Sequence, residues 1–368
     1  MHIVHTEASC GWGGQELRIL AESQGMIARG HRVTLLCPPE AKIYPAAQER
    51  GIPAVALPVG RKNAAGLLAM RRWLAGNPVD VVNTHSSTDS WLVALACATL
   101  GANAPPVVRT RHISAPVPGN APTRWLYVKS CRRVVTTGER LRQDLLATLG
   151  CPADHLISIP TGIDTHRFAP GDKAAARAAL GLPAAALLVG IVATLRSWKG
   201  HRFLIEAFAR LPRPDARLVI VGDGPKRDEL QQQIQALGLA DRVVMPGNRE
   251  DVPEWLRALD IFVLPSYANE GVPQALMQAM LSGLPAITTL IGGMGEVSID
   301  DRTSLVIPPQ DTDALAGALQ RMAEEPALRA RLGQAARAHC ERHCSFEGMV
   351  ARMEAVFARA VAEAAQRR

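Results

Sequence analysis

The chain has 368 residues, 48% of them hydrophobic, and a formal net charge of +7 that lies wholly in residues 1–167, which hold 18 Lys and Arg against 11 Asp and Glu. This length suits two domains of ordinary size, whereas the apolar run at residues 91–100 is shorter than the ~20 residues that cross a bilayer. Seven scattered cysteines fit reduced thiols, so the composition argues against a membrane-spanning or disulfide-rich secreted protein and predicts a cytoplasmic one.

The first predicted elements are a strand, a glycine-rich turn, a helix and a second strand. The turn contains Gly11, Gly13 and Gly14, and glycine lets the backbone approach a bound group closely. Its spacing differs from Gly-x-Gly-x-x-Gly, which disfavours a nicotinamide dinucleotide. Glu16 lies in the first turn of the helix, where the helix dipole favours a negative charge. We therefore predict a ligand-binding turn at Gly13 and Gly14 and a structural role for Glu16.

Two histidines follow later apolar runs of the first half, His85 and His112. Ligands of open parallel sheets bind at the carboxyl ends of the strands. Both histidines are therefore candidate site residues, His112 more than His85, and neither needs to be a metal ligand.

Basic residues are concentrated between Arg109 and Arg142, where eight Arg and Lys face the single acidic residue Glu139. Such a patch is suited to an anionic lipid surface or a phosphorylated, lipid-linked acceptor, and a solvated basic face remains the alternative. No known binding module accompanies the charge, which disfavours nucleic acid. The candidate residues for the acceptor or the membrane surface are Arg109, Arg111, Arg124, Lys129, Arg132 and Arg133.

The second half begins after residues 159–172, where prolines and glycines interrupt the pattern. A strand, a basic loop and an amphipathic helix follow at residues 187–211. The loop carries Arg196 and Lys199, two cations that are suited to clamping a diphosphate. A Gly-Asp-Gly-Pro turn comes next, at residues 222–225.

Residues 261–288 carry the strongest functional signal, a buried strand, a polar loop, a helix entered through Pro273 and a further strand. Backbone N–H groups and the dipole at a helix N-terminus attract anions. We expect a ligand phosphate against Gly271 and Val272, with Glu270 projecting from the loop. Gln278 lies eight residues beyond Glu270, about 12 Å along a helix, which suits the two ends of an extended ligand.

Together these motifs resemble glycosyltransferase family 4, the retaining, nucleotide-sugar-dependent transferases of GT-B fold. Family members carry a glutamate, seven residues and a second glutamate, and the matching positions here are Glu270 and Gln278. They also place an arginine five residues before the lysine, a position that is Thr194 here, so Arg196 would serve instead. The later Gly-Gly-x-x-Glu segment matches with Glu296.

The resemblance implies an α/β fold of two Rossmann-like, doubly wound domains that face each other across a cleft. Residues 1–167 would bind the acceptor and residues 168–345 the nucleotide-sugar donor, while residues 346–368 would form a helix that crosses back to the first domain. A location in the cytoplasm, peripheral on the inner face of the cytoplasmic membrane, is expected.

The resemblance also assigns roles to the candidate residues. Glu270 would contact the donor sugar, the residue at position 278 the ribose, and His112 the sugar from the opposite domain. Lys199 and Arg196 would stabilise the leaving diphosphate. The glycine turn would lie against the donor phosphates and the acceptor.

The implied reaction is metal-independent transfer of a sugar to an acceptor hydroxyl with retention of anomeric configuration, without a cofactor. Polysaccharide, lipopolysaccharide or glycolipid biosynthesis is the expected setting. Two alternatives stay open, a nucleotide-sugar epimerase of similar fold and a non-catalytic partner that binds the nucleotide sugar. The departures at Thr194 and Gln278 motivate the second alternative.

Overall fold

The structure, a computed structural model, describes residues 1–113, 115–268 and 270–366. It divides into two compact units, an N-terminal unit made of Met1–Gly162 with Glu347–Arg368 and a C-terminal unit made of Ile163–Phe346. The division after Gly162 falls five residues before the end of the expected first domain. Arg367 and Arg368, the end of the expected last segment, lie outside the described residues.

The N-terminal unit is built on a seven-stranded sheet in which every neighbouring pair is parallel. The strand order is β3-β2-β1-β4-β5-β6-β7, so the direction of winding reverses between β1 and β4. The strands are β1 (His2–Thr6), β2 (Arg32–Cys37), β3 (Ala54–Ala56), β4 (Val81–Thr84), β5 (Val107–Arg111), β6 (Arg133–Thr136) and β7 (Leu156–Ser158). The helices are α1 (Gly14–Ala28), α2 (Ile43–Glu49), α3 (Ala64–Gly76), α4 (Ser87–Leu100), α5 (Ala121–Arg124) and α6 (Glu139–Leu149).

The C-terminal unit repeats this plan with six parallel strands in the order β10-β9-β8-β11-β12-β13, and its winding reverses between β8 and β11. The strands are β8 (Leu188–Val192), β9 (Arg217–Val221), β10 (Val243–Gly247), β11 (Ile261–Leu264), β12 (Ala286–Thr288) and β13 (Ser304–Val306). The helices are α7 (Lys173–Ala179), α8 (His201–Ala209), α9 (Arg227–Ala236), α10 (Val252–Ala258), α11 (Gln274–Leu281), α12 (Thr312–Glu324) and α13 (Pro326–His343).

The central strands β8 and β11 of the C-terminal unit are short, buried apolar runs, as is typical of parallel sheets that helices cover on both faces. Strand β11 has the sequence IFVL and is buried along its whole length. It pairs with β8 through Ile261 opposite Val189 and Phe262 opposite Gly190. The predicted pair of doubly wound, Rossmann-like α/β domains is confirmed.

The last helix, α14 (Phe346–Ala365), packs on the N-terminal unit. Its Glu354 carboxylate lies 2.7 Å from Arg29 Nη1 and 2.7 Å from His31 Nε2, and the ring of Phe357 lies 6.2 Å from the ring of His5. Among the described residues, no helix combines the length and the apolar character that a bilayer crossing requires.

A buried polar cluster lies between α1 and the N-terminal sheet. Glu22 is 0% exposed, and its carboxylate lies 3.7 Å from Arg18 Nε and 4.0 Å from His5 Nε2. Arg18 also donates to the carbonyl of Ile159 at 2.8 Å. Burial raises the pKa of Glu22 to about 7, against the opposing effect of Arg18, and burial lowers the pKa of His5 to about 3.

The raised pKa of Glu22 predicts that the contribution of this residue to the free energy of unfolding falls between pH 6 and pH 8. The folded-state pKa of Glu22 lies above its ordinary value, so its contribution is complete at low pH and is lost as the pH rises through about 7. The contribution of His5 has the opposite sign and is complete above its ordinary pKa. Relative to wild type, Glu22→Gln should therefore shift the difference in the free energy of unfolding between pH 6 and pH 8 by about 1 kcal/mol in favour of pH 8. Urea titration at both pH values measures this difference.

The control is Glu49→Gln, which removes an exposed carboxylate of the same unit. This variant should keep the wild-type difference between pH 6 and pH 8. An unchanged pH difference in Glu22→Gln would contradict the prediction.

Candidate active site

The C-terminal unit brings Lys199 and Glu270 together at the point where its winding reverses. Lys199 ends a short 3₁₀ turn, Ser197–Lys199, after β8, and Glu270 lies in the loop after β11. Lys199 Nζ donates to Glu270 Oε1 at 2.6 Å, and Ser266 Oγ donates to the same oxygen at 2.6 Å. The Glu270 side chain is 4% exposed and that of Lys199 is 18% exposed. Two of the predicted site residues, separated by 71 positions, therefore form a largely buried ion pair.

Backbone packing between three loops fixes this geometry, and two glycines make that packing possible. Gly200 has φ +78°, and a Cβ atom there would lie 2.2 Å from the Pro265 carbonyl oxygen. Gly292 has φ +61°, and a Cβ atom there would lie 1.9 Å from the Glu270 carbonyl oxygen. Only glycine fits both conditions. The loop after β11, which carries Glu270, thus packs closely against the loop after β8 at Pro265 and against the loop after β12 at Glu270.

Hydrogen bonds join the same loops. Tyr267 N donates to the Trp198 carbonyl at 2.9 Å, and Thr289 Oγ1 donates to the Ser266 carbonyl at 2.6 Å. The loop that carries Glu270 is therefore tied both to the loop that carries Lys199 and to the loop after β12.

Helix α11 begins at Gln274, two positions after the second of the expected phosphate contacts, Val272. Pro273 is its N-cap and makes no side-chain cap, while Gly271 and Val272 lie in the preceding loop. The partial positive charge of a helix N-terminus belongs to the first turn, which here starts at Gln274. The anion contact at Gly271 and Val272 stays a prediction, and the first turn of α11 lies next to it in the sequence.

The other predicted donor residues have different environments. Gln278 is half-buried in α11. Its backbone carbonyl accepts hydrogen bonds from Ser282 N at 3.0 Å and from Ser282 Oγ at 2.9 Å. Glu296 is half-buried at the end of the turn Met294–Glu296. Arg196 is exposed, its guanidinium lies 5.4 Å from the Trp198 ring centre, and it forms no ion pair with a described residue. The positive charge of Arg196 is thus not neutralised by a carboxylate of the described residues.

The N-terminal unit has a pocket of about 500 Å³ at the carboxyl ends of its strands. Helix α1 begins at Gly14, and Glu16 in its first turn is 5% exposed. The glycine turn and both predicted histidines meet in this pocket, which thus collects residues from separate parts of the sequence. The candidate residues that line it are Gly13, Gly14, Glu16, His85, Arg109, Arg111 and His112.

Three histidines form a hydrogen-bonded row, and two of them, His85 and His112, line this pocket. His5 Nδ1 lies 2.9 Å from His85 Nε2, and His85 Nδ1 lies 2.9 Å from His112 Nε2. They belong to β1, the end of β4 and the end of β5, which are neighbours in the sheet. Burial lowers the pKa of His85 and of His112 well below the ordinary value, and neighbouring histidines and arginines lower it further. The row is therefore neutral near pH 7, and His85 in its middle donates one of the two hydrogen bonds and accepts the other.

The predicted basic patch is divided into groups with different environments. Arg109 and Arg133 are 3% and 8% exposed, and Arg133 forms an ion pair with Glu363 of α14. Neither belongs to an exposed basic surface. Arg124 and Lys129 are exposed, and Lys129 lines a second cavity of about 640 Å³ together with Arg132.

Sequence reasoning missed three residues of these sites, His5, Glu22 and Ser266. His5 and Glu22 are the inner end of the histidine row, and Ser266 shares the oxygen of Glu270 that Lys199 binds. His5 and Ser266 are polar residues at the carboxyl ends of apolar strands, the signal that identified His85 and His112. Glu22 carries no such signal, since a carboxylate within a helix is ordinarily exposed.

Known proteins resemble the chain in both sequence and structure. A relative from Saccharomonospora viridis, a D-inositol 3-phosphate glycosyltransferase, is 29% identical over 90% of this chain and 85% of its own length. The lipopolysaccharide core biosynthesis mannosyltransferase LpsB of Rhizobium meliloti is 35% identical over 47% of this chain and 53% of its own. The structure of Anabaena Alr3699/HepE in complex with UDP has a TM-score of 0.82 at 21% identity, covering 97% of this chain and 100% of that one. The fold is therefore that of GT-B glycosyltransferases.

Two family profiles match consecutive parts of the sequence. Residues 12–167 match the profile described as Glycosyltransferase Family 4, and residues 172–339 match the profile described as Glycosyl transferases group 1. Together they include the pocket of the N-terminal unit and the ion pair of the C-terminal unit. The chain belongs to glycosyltransferase family 4.

Proposed function

We propose that this glycosyltransferase moves a sugar from a nucleoside-diphosphate donor to an acceptor hydroxyl, with retention of anomeric configuration and without a metal ion. The observation that carries the proposal is the ion pair of Lys199 and Glu270 at the winding reversal of the C-terminal sheet. Ligands of doubly wound sheets bind at this kind of position. Both residues match the positions of the family motifs.

The proposed reaction requires positive charge near the leaving diphosphate and fixed hydrogen-bond acceptors near the hydroxyls of the donor sugar. The Lys199 ammonium, the exposed Arg196 and the N-terminus of α11 supply the positive charge. Metal-independent transfer follows if these groups suffice. The Lys199 and Ser266 hydrogen bonds both go to Oε1 of Glu270, and we assign Oε2 to the donor sugar. The assignment of His112 to the donor sugar, and of Gln278 to the ribose, stays a prediction.

Retention is proposed because the family that the motifs resemble is retaining, and the Glu270 carboxylate, which is bonded to Lys199 and Ser266, is a poor candidate for a covalent nucleophile. Front-face attack by the acceptor hydroxyl, assisted by the departing phosphate, then accounts for the stereochemistry. UDP is the first candidate nucleotide because Alr3699/HepE was solved with it. A surface glycan or lipopolysaccharide pathway is supported by the name of LpsB, and a cytoplasmic, peripheral membrane location remains a prediction.

The first test is release of nucleotide from UDP-, GDP-, ADP- and CDP-sugars in the presence of a chelator. One donor should react slowly with water, and Glu270→Gln should lower that rate by about 100-fold or more because a fixed polar contact to the reacting sugar is lost. Glu250→Gln, which changes an exposed carboxylate of the same unit, should retain the rate.

Four outcomes would contradict this part of the proposal. Loss of turnover in chelator would indicate a metal requirement, and an equal rate in Glu270→Gln would remove the assigned role of Glu270. Isomerisation of a donor without release of its nucleotide would indicate an epimerase. Binding of a donor without either reaction would indicate the non-catalytic alternative.

A second test uses two glycines of one loop. In Gly292→Ala, the new Cβ would overlap the Glu270 carbonyl, and the positive φ would add strain; displacement of Glu270 should lower kcat/KM for the donor by about 10-fold or more. In Gly295→Ala, the nearest atom would be a Leu290 side-chain carbon at 3.8 Å, and kcat/KM should stay within about twofold. Equal kcat/KM for the two variants would show that the loop does not position Glu270.

A further inference from the structure

Arg109 is a buried cation with guanidinium nitrogens that no described residue binds. It lies on β5, is 3% exposed, and its Nε and Nη1 atoms have no hydrogen-bond partner among the described residues. Its guanidinium lies 4.3 Å from the centre of the Tyr127 ring, and it lines the pocket of about 500 Å³ in the N-terminal unit. Burying a charge without hydrogen-bonding partners is costly, so the structure leaves a place for an anion.

Arg111 lies two residues further along β5 and therefore on the same face of the strand. It lines the same pocket. Its Nη1 atom donates to the Tyr127 hydroxyl at 2.9 Å and its Nη2 atom to the Ala115 carbonyl at 2.5 Å, whereas its buried Nε has no partner in the described chain. Tyr127 thus positions both guanidinium groups, one through its ring and the other through its hydroxyl.

No carboxylate of the described residues forms an ion pair with either arginine. Asp89 interacts electrostatically with Arg109, but its oxygens accept hydrogen bonds from Thr6 Oγ1, from Ser86 and from the His85 backbone. Glu16 also lines the pocket and is in no ion pair with a described residue. The adjacent imidazoles of His85 and His112 are neutral near pH 7 because burial lowers their pKa. The two arginines are thus the groups in this pocket that can neutralise an anion.

We propose that this pocket binds an anionic group of the acceptor, a phosphate or a carboxylate, at Arg109 and Arg111. The acceptor is then a phosphorylated or acidic sugar or polyol, and the Glu16 carboxylate accepts hydrogen bonds from its hydroxyls. A guanidinium recognises both anions through paired N–H donors. The pocket volume is within the range of small-molecule sites. The identification of the ligand as the acceptor rests on the proposed function, whereas anion binding itself does not.

Two other accounts of Arg109 lead to different results. If the guanidinium only packs against Tyr127, its removal should destabilise the protein and leave anion affinity unchanged. If the pocket instead receives the diphosphate of the donor, loss of Arg109 should raise the KM for the donor. Acceptor binding predicts neither result.

The test is calorimetric titration of the full chain with inorganic phosphate and, separately, with acetate. It is carried out in Lys199→Met, so that the donor site of the C-terminal unit adds no lysine-dependent binding, and in Lys199→Met/Arg109→Met. Inorganic phosphate or acetate should bind the first variant, and the second should bind about 10-fold more weakly or not at all. Tighter binding of phosphate indicates a phosphorylated acceptor, and tighter binding of acetate indicates an acidic one.

Absence of binding for both anions in Lys199→Met, or equal binding in the two variants, would overturn the proposal. Thermal unfolding gives the second readout. The single variant Arg109→Met should keep or raise the Tm because it removes a buried charge without hydrogen bonds and leaves an apolar side chain on the ring. A lower Tm together with unchanged anion affinity would assign Arg109 to packing against Tyr127.

In otherwise wild-type protein, Arg109→Met should leave the KM for the donor within about twofold. A large increase in that KM would place the anion site on the donor. The phosphate titration contains no nucleotide sugar, so its failure and a failure of donor turnover are separate results.

Discussion

A buried carboxylate must be held by hydrogen-bond donors, and Glu270 obtains them from two loops of the C-terminal sheet. Lys199 comes from the loop after β8, and Ser266 comes from the loop after β11. These loops are adjacent because the winding of the sheet reverses between β8 and β11. Because Gly292 has no side chain, the loop after β12 can pack directly against the Glu270 carbonyl. The strand order therefore brings the two loops together, and the side chains of Lys199 and Glu270 can then form the ion pair.

The N-terminal unit follows the same rule with different chemistry. Its winding reverses between β1 and β4, and this position holds neutral histidines instead of an ion pair. Beside them, at the end of β5, lie arginines without a carboxylate partner in the described chain. The C-terminal unit thus has an ion pair at its winding reversal. The N-terminal unit instead has arginines beside its winding reversal that form no ion pair with a described residue. Sheets of the same topology can in this way be suited to different ligands.

The two parallel sheets could be predicted from the alternating apolar runs and helical patterns, and the loop motifs that resemble the family point to Lys199 and Glu270 as candidates. The remainder depends on tertiary packing. The contact of Lys199 with Glu270 joins residues 71 positions apart. Arg109 and Arg133 look like surface charges because their burial is decided by Tyr127 and by α14. Helix α11 starts at Gln274, after Pro273 in an extended conformation, and the sequence alone did not place this start.

The most direct test of the donor site is a double-mutant cycle on Lys199 and Glu270, with kcat/KM for the donor as the measured quantity. Lys199→Met, Glu270→Gln and the double variant are compared with wild type. If the two side chains act as one unit, the double variant loses little more activity than the worse single variant, with a coupling free energy of about 1 kcal/mol or more. Additive losses, with a coupling free energy near zero, would contradict the view that this ion pair organises the donor site.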